Sequence, residues 1–128
     1  MKTGIAIFAH GSSVEAANEA VRAVTAAMAR AGGFDLVEPA FLELAQPDLA
    51  RAVETLVGRG ATRILVIPYF LTLGIHLQRD LPRIVGELLR IHRNVRIHVT
   101  PPLDGHPALL DALLDRARDG LDEREILL

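Results

Sequence analysis

Three ionisable residues stand just beyond short apolar runs: His10 after Ile5 to Ala9, Glu43 after Phe34 to Leu42, and His76 shortly after Arg63 to Phe70. Two neutral imidazoles and a carboxylate suit a borderline divalent metal such as cobalt, nickel, iron or zinc, and leave coordination positions open for another ligand. The same groups could instead take protons from a bound substrate, since imidazoles generally titrate near pH ~6.5. Directly after His10 come Gly11, Ser12 and Ser13. Amides at a helix N-terminus seat carboxylate or phosphate, so this loop is a candidate anion site, with an ordinary helix cap as the competing reading.

For these residues to meet, the elements that carry them must share an edge. The run Ile5 to Ala9 reads as a buried strand that hands over at His10 to a helix. Ser12 and Glu15 stand in the S-x-x-E relation of a reciprocal cap, and Val14, Ala17, Val21 and Val24 offer an apolar face that ends at Gly32 and Gly33. Phe34 to Leu42 is a second strand with Glu43 at its far end. Pro47 suits the first turn of a second helix, whose face is Leu49, Ala52, Val53, Leu56 and Val57 and which stops at Gly58 and Gly60.

Arg63 to Phe70 is the most continuous apolar run and reads as a central strand buried on both faces. Its Pro68 cannot donate to a ladder, so regular pairing is expected to end near Ile67, with the chain looping outward through Thr72, Gly74 and His76. Asp80 can cap a third helix opened by Leu81-Pro82, with Ile84, Val85, Leu88 and Leu89 facing inward up to Ile91. Asn94 to Thr100 alternates Val95, Ile97 and Val99 with Arg96 and His98, as an edge strand wet on one side does. Pro107 opens a fourth helix carried by Leu109, Leu110, Leu113, Leu114 and Ala117 to Gly120, before a charged and then apolar tail.

Strand and helix thus alternate four times, which predicts an α/β fold: a four-stranded parallel sheet with right-handed crossovers and helices on both faces. A flavodoxin-like order of 2-1-3-4 reverses the winding between strands one and three. The loops holding His10 and His76 then face each other across that crevice, with Glu43 projecting from the same edge. His106 stands there too, although Gly105-His106-Pro107 also reads as a plain entry to a helix. His92 at a helix end and His98 on the wet strand face have structural readings.

The totals narrow the options. With 128 residues, half of them hydrophobic, the chain forms one domain with a real core, spanning residues 1–128. A net charge of -2 gives no reason to expect nucleic acid. Cysteine is absent, which excludes disulfides, thiolate catalysis and sulfur-ligated zinc or iron-sulfur sites. No apolar stretch reaches 18 residues and the opening run is too short for a signal peptide, so the expectation is a soluble, cytoplasmic protein without membrane contact. Motifs for nucleoside triphosphates, dinucleotides and serine hydrolases do not occur.

The segments AHGS at Ala9 to Ser12, AFLEL at Ala40 to Leu44, YFLTLGIHLQRDLP at Tyr69 to Pro82 and PPLDGHP at Pro101 to Pro107 resemble the small sirohydrochlorin chelatases of the CbiX and SirB type. The resemblance covers nearly the whole chain, in order and spacing. It implies insertion of a divalent metal, cobalt first and nickel or ferrous iron as alternatives, into sirohydrochlorin, a reduced tetrapyrrole with eight carboxylates. It implies no ATP and no organic cofactor, and a place in cobalamin or siroheme biosynthesis. The family's metal-site histidines fall on His10 and His76 and its assisting glutamate on Glu43, as a third ligand or as a base orienting one imidazole. Substrate carboxylates would meet the Gly11 to Ser13 amides and Arg79. Family members often carry arginine after HGS, where this chain has Ser13. Longer relatives hold two such units in one chain, and short members resemble this one in forming homodimers.

Two rivals to that reading have their own signatures. A carrier of the same fold would bind metal or tetrapyrrole without accelerating insertion. An enzyme acting on another anionic small molecule, with His10 as general base, would work without any metal.

Overall fold

A computed structural model describes residues 2–122. Strands β1 (Thr3–Ala9), β2 (Val37–Phe41), β3 (Arg63–Pro68) and β4 (Arg96–Val99) alternate with helices α1 (Glu15–Gly32), α2 (Leu49–Gly58), α3 (Ile75–Ile91) and α4 (Pro107–Asp122). The strands pair in parallel in the order β2-β1-β3-β4, the doubly wound arrangement expected from the alternating pattern. The apolar run Ile5 to Ala9 is buried throughout because β1 is central and covered on both faces. Pro39 is accommodated because β2 lies at an edge. Pairing of β3 with β1 extends to Pro68 opposite Phe8, one residue past the expected end.

One face of the sheet holds the main core. Ala6 and Phe8 of β1, Ala40 of β2 and Ile64 and Val66 of β3 meet Leu49, Ala52, Val53 and Leu56 of α2 and Leu77, Leu81 and Leu88 of α3. The α2 face is the one read from spacing, and its start is set by Asp48, whose carboxylate accepts from the Arg51 N–H at 2.9 Å. Pro47 therefore lies just outside the helix rather than in its first turn.

Three further sequence expectations give way. The α1 face turned to the sheet is led by Asn18 and Thr25, both buried, while Val14, Ala17 and Val24 are exposed. The S-x-x-E cap does not form: Ser12 Oγ accepts from the Val14 N–H at 3.0 Å, and the Ser12 N–H goes to Asn18 instead of Glu15. Finally, α3 begins at Ile75, behind Gly74, and not at Asp80, so His76 sits on a helix and Pro82 lies inside it. Interior proline costs a helix about 3 kcal/mol. Burial of Leu77 and Leu81, at about 1.5–3 kcal/mol each, offsets that. The Gln78 side chain reinforces the early start by donating to the Leu73 carbonyl at 2.9 Å.

Helix α4 buries none of its described residues. Leu110, Leu113 and Leu114 are left exposed along one helical stripe. On the sheet face away from the main core, Leu65 and Ile67 of β3 are only half-buried.

Candidate metal-handling site at the carboxyl edge of the sheet

Past the ends of β1 and β2 the chain continues as if the ladder had not stopped. Leu42 N–H donates to the Ala9 carbonyl at 2.9 Å and Glu43 N–H to the His10 carbonyl at 3.1 Å, which brings the two loops into contact. Gly11 makes that approach possible. It adopts a φ of +90°, and a Cβ built there would fall 1.8 Å from the Glu43 carbonyl oxygen, so only glycine fits.

The result brings together two of the three side chains, His10 and Glu43, that the sequence was expected to gather with His76. His10 Nδ1 lies 3.9 Å from Glu43 Oε1 and 3.2 Å from the Gly11 carbonyl oxygen. The carbonyl can only accept, so the proton belongs on Nδ1 and the lone pair on Nε2. Both side chains are open to water, His10 at 60% and Glu43 at 57% of full exposure. One flank of the imidazole is closed by Phe70, edge-on at 6.3 Å between ring centres, which itself packs edge-on against buried Phe8 at 5.9 Å. An imidazole with a free Nε2 beside a carboxylate can ligate a soft-to-borderline metal or take a proton.

His76 is placed differently. It lies on the first turn of α3, exposed, at the same sheet edge but outside the His10 and Glu43 pair. Among the described residues, no three His, Asp or Glu side chains converge into a ready-made cation cage. The anion loop is narrower than expected, since the Ser12 amide is taken by Asn18 Oδ1 at 2.9 Å, leaving Gly11 and Ser13. His106 also reaches this edge, because Leu103 N–H donates to the Phe70 carbonyl at 2.9 Å and Asp104 N–H to the Leu71 carbonyl at 2.8 Å. There it caps α4, with Nδ1 accepting from the Ala108 N–H at 3.1 Å, so its structural reading holds. His98 is exposed on the edge strand, as read. Arg79 is exposed on α3.

Asn18, Arg22 and Phe70 support the site without having been anticipated. Asn18 and Arg22 carried a signal, being polar residues one turn apart on the helix face that the fold turns inward.

The family model named CbiX matches residues 4–120. The chain belongs to the CbiX family. Among proteins similar to this CbiX chain is the chloroplastic sirohydrochlorin ferrochelatase of Arabidopsis thaliana, 33% identical over 122 residues, covering 95% of this chain and 54% of that protein. The sirohydrochlorin cobaltochelatase of Methanosarcina barkeri is 30% identical over 127 residues, covering 94% and 98% respectively. In three dimensions the chain superposes on the sirohydrochlorin chelatase SirB from Bacillus subtilis subspecies spizizenii in complex with cobalt, with a TM-score of 0.86 at 28% identity. That match covers 93% of this chain and 51% of SirB. This CbiX chain therefore spans about half the length of the Arabidopsis and Bacillus proteins and nearly all of the Methanosarcina one.

Proposed function

We propose that this chain is a sirohydrochlorin chelatase that inserts a divalent metal, cobalt foremost with nickel or ferrous iron as further substrates, into the tetrapyrrole ring without ATP or an organic cofactor. The observation that carries the reading is the His10 and Glu43 pair, with Nδ1 turned to the Gly11 carbonyl and the carboxylate while Nε2 is left for a metal. Two chelatase relatives, one named for cobalt and one for iron, share the whole span on which that pair is built.

In this mechanism His10 Nε2 binds the incoming ion, and Glu43 steadies the imidazole from the Nδ1 side, favouring its role as an orienting base over that of a third ligand. His76, from α3, supplies the second imidazole once metal and substrate are in place. Two pyrrole protons must leave as the dication enters, and the imidazole and carboxylate pair gives them a destination. The Gly11 and Ser13 amides and Arg79 meet substrate carboxylates. The open edge suits a flat macrocycle, which needs a broad approach.

The working form is proposed to be a cytoplasmic homodimer serving cobalamin or siroheme formation. Exposed Tyr69 and Leu71 beside the site support the dimer, as does the uncovered leucine stripe of α4. The apolar end of the C-terminal tail lies outside the described residues. No helix among the described residues is long and apolar enough to cross a membrane.

The test is anaerobic absorbance of sirohydrochlorin mixed with the protein and, in turn, Co(II), Ni(II) and Fe(II), against protein-free controls. Faster spectral conversion is expected, reduced by a factor on the order of 100 or more in His10→Ala. Conversion no faster than the control, with a shifted spectrum at one ligand per site, would replace the chelatase reading with a carrier.

A further inference from the structure

Helix α1 runs beneath both loops that carry the candidate pair, and it grips each of them with a polar side chain. Asn18 is only 1% exposed, and both ends of its amide are used on one residue: Ser12 N–H donates to Oδ1 at 2.9 Å and Nδ2 donates to the Ser12 carbonyl at 2.8 Å. One turn on, Arg22 is half-buried. Its Nη2 donates to the Gln46 carbonyl at 3.1 Å, and its guanidinium lies 5.2 Å above the ring centre of Phe41. Gln46 and Phe41 bracket Glu43 in the chain.

Glu15 joins the two grips. Its Oε1 accepts from Arg22 Nη1 at 2.6 Å and its Oε2 from Asn18 Nδ2 at 3.4 Å, while Glu19 takes a further bond from Arg22. A continuous polar path thus leads from the His10 loop, through Asn18, Glu15 and Arg22, to the Glu43 loop. An apolar residue at position 18 could fill the same space, but it would strand the donor and acceptor of half-buried Ser12. A lysine at position 22 would keep the charge but lose the flat face over Phe41 and the forked bonding.

We propose that Asn18 and Arg22 are positioning residues that set the separation of His10 and Glu43, and so set how tightly that pair takes a divalent metal. The inference rests on the metal role argued above for the pair. Neither side chain touches the metal: each acts through the loop it holds. Groups that orient a ligand from behind commonly change metal affinity by about 10–100-fold when lost.

Calorimetric titration of Co(II) into the full chain tests this with wild type, Arg22→Met, Glu43→Ala and the double variant. Methionine keeps an apolar stem over Phe41 and removes the bonds to Gln46 and the two glutamates. Arg22→Met is expected to weaken Co(II) binding about tenfold in the wild-type background and to add nothing once Glu43 is alanine. Asn18→Asp, equal in size but unable when ionised to donate to the Ser12 carbonyl, is expected to behave the same way against His10→Ala. Unchanged affinity in Arg22→Met, or losses that simply add in the double variant, would overturn the proposal while leaving the metal pair intact. Unchanged affinity in Glu43→Ala would overturn both the proposal and the metal role of the pair.

Discussion

Gly11 is the residue on which the candidate site turns, because the Glu43 backbone occupies the space where any other residue would place its Cβ. In Gly11→Ala the left-handed backbone alone costs roughly 1–2 kcal/mol, and relieving the contact with the Glu43 carbonyl adds to it. Denaturant unfolding should show a loss larger than that backbone term. Metal insertion should fall with it, because the Glu43 N–H can no longer reach the His10 carbonyl. His10, Glu43 and Gly11 were all legible in the sequence as types at strand ends. The contact between them was not, since it depends on two loops extending the β1 and β2 ladder beyond its last paired residues. His76 was legible as a residue but not in its setting: the pull of Leu77 and Leu81 toward the core draws the helix start back past Pro82.

At the level of elements, α2 followed its apolar spacing closely, whereas α1 did not. Periodicity assumes that the inward face is the apolar one, and α1 turns Asn18 and Arg22 toward two loops that need hydrogen-bond partners, while buried Thr25 donates to the Val21 carbonyl of its own helix. At the exposed rim of that polar face, the Glu15 carboxylate bonded to Arg22 is placed to respond to acid. Glu15 is held below the usual carboxylate range, first by the hydrogen bond from Arg22 and next by that from Asn18. A carboxyl lowered in the folded state stabilises the fold above its ordinary pKa, and the contribution disappears as the pH falls through the lowered value. Glu15→Gln is therefore expected to melt below wild type at neutral pH. The gap should close on acidification below about pH 4, which thermal melts over a pH series would record.

For the whole molecule, the alternation of strands and helices dictated the sheet order, and the structure follows it from β2 to β4. What a single chain could not announce is a helix that buries none of its described residues. The α4 stripe of Leu110, Leu113 and Leu114, exposed at 61%, 69% and 41%, would recover about 0.6–2 kcal/mol per side chain if a second copy covered it. Sedimentation is expected to show a dimer for wild type and a monomer for Leu113→Asp, while a monomeric wild type would remove the dimer from the proposal. The parallel sheet has one more consequence. All the candidate side chains lie at its carboxyl edge, so the turns at residues 33–36, 59–62 and 92–95 belong to the opposite rim. Seven residues of β1 at ~3.3 Å each hold that rim about 20 Å from His10. The molecule thus comes with a handle as well as a working end, and a label or tether fixed at Asp35 or Arg93 would leave the chemistry facing away from its attachment.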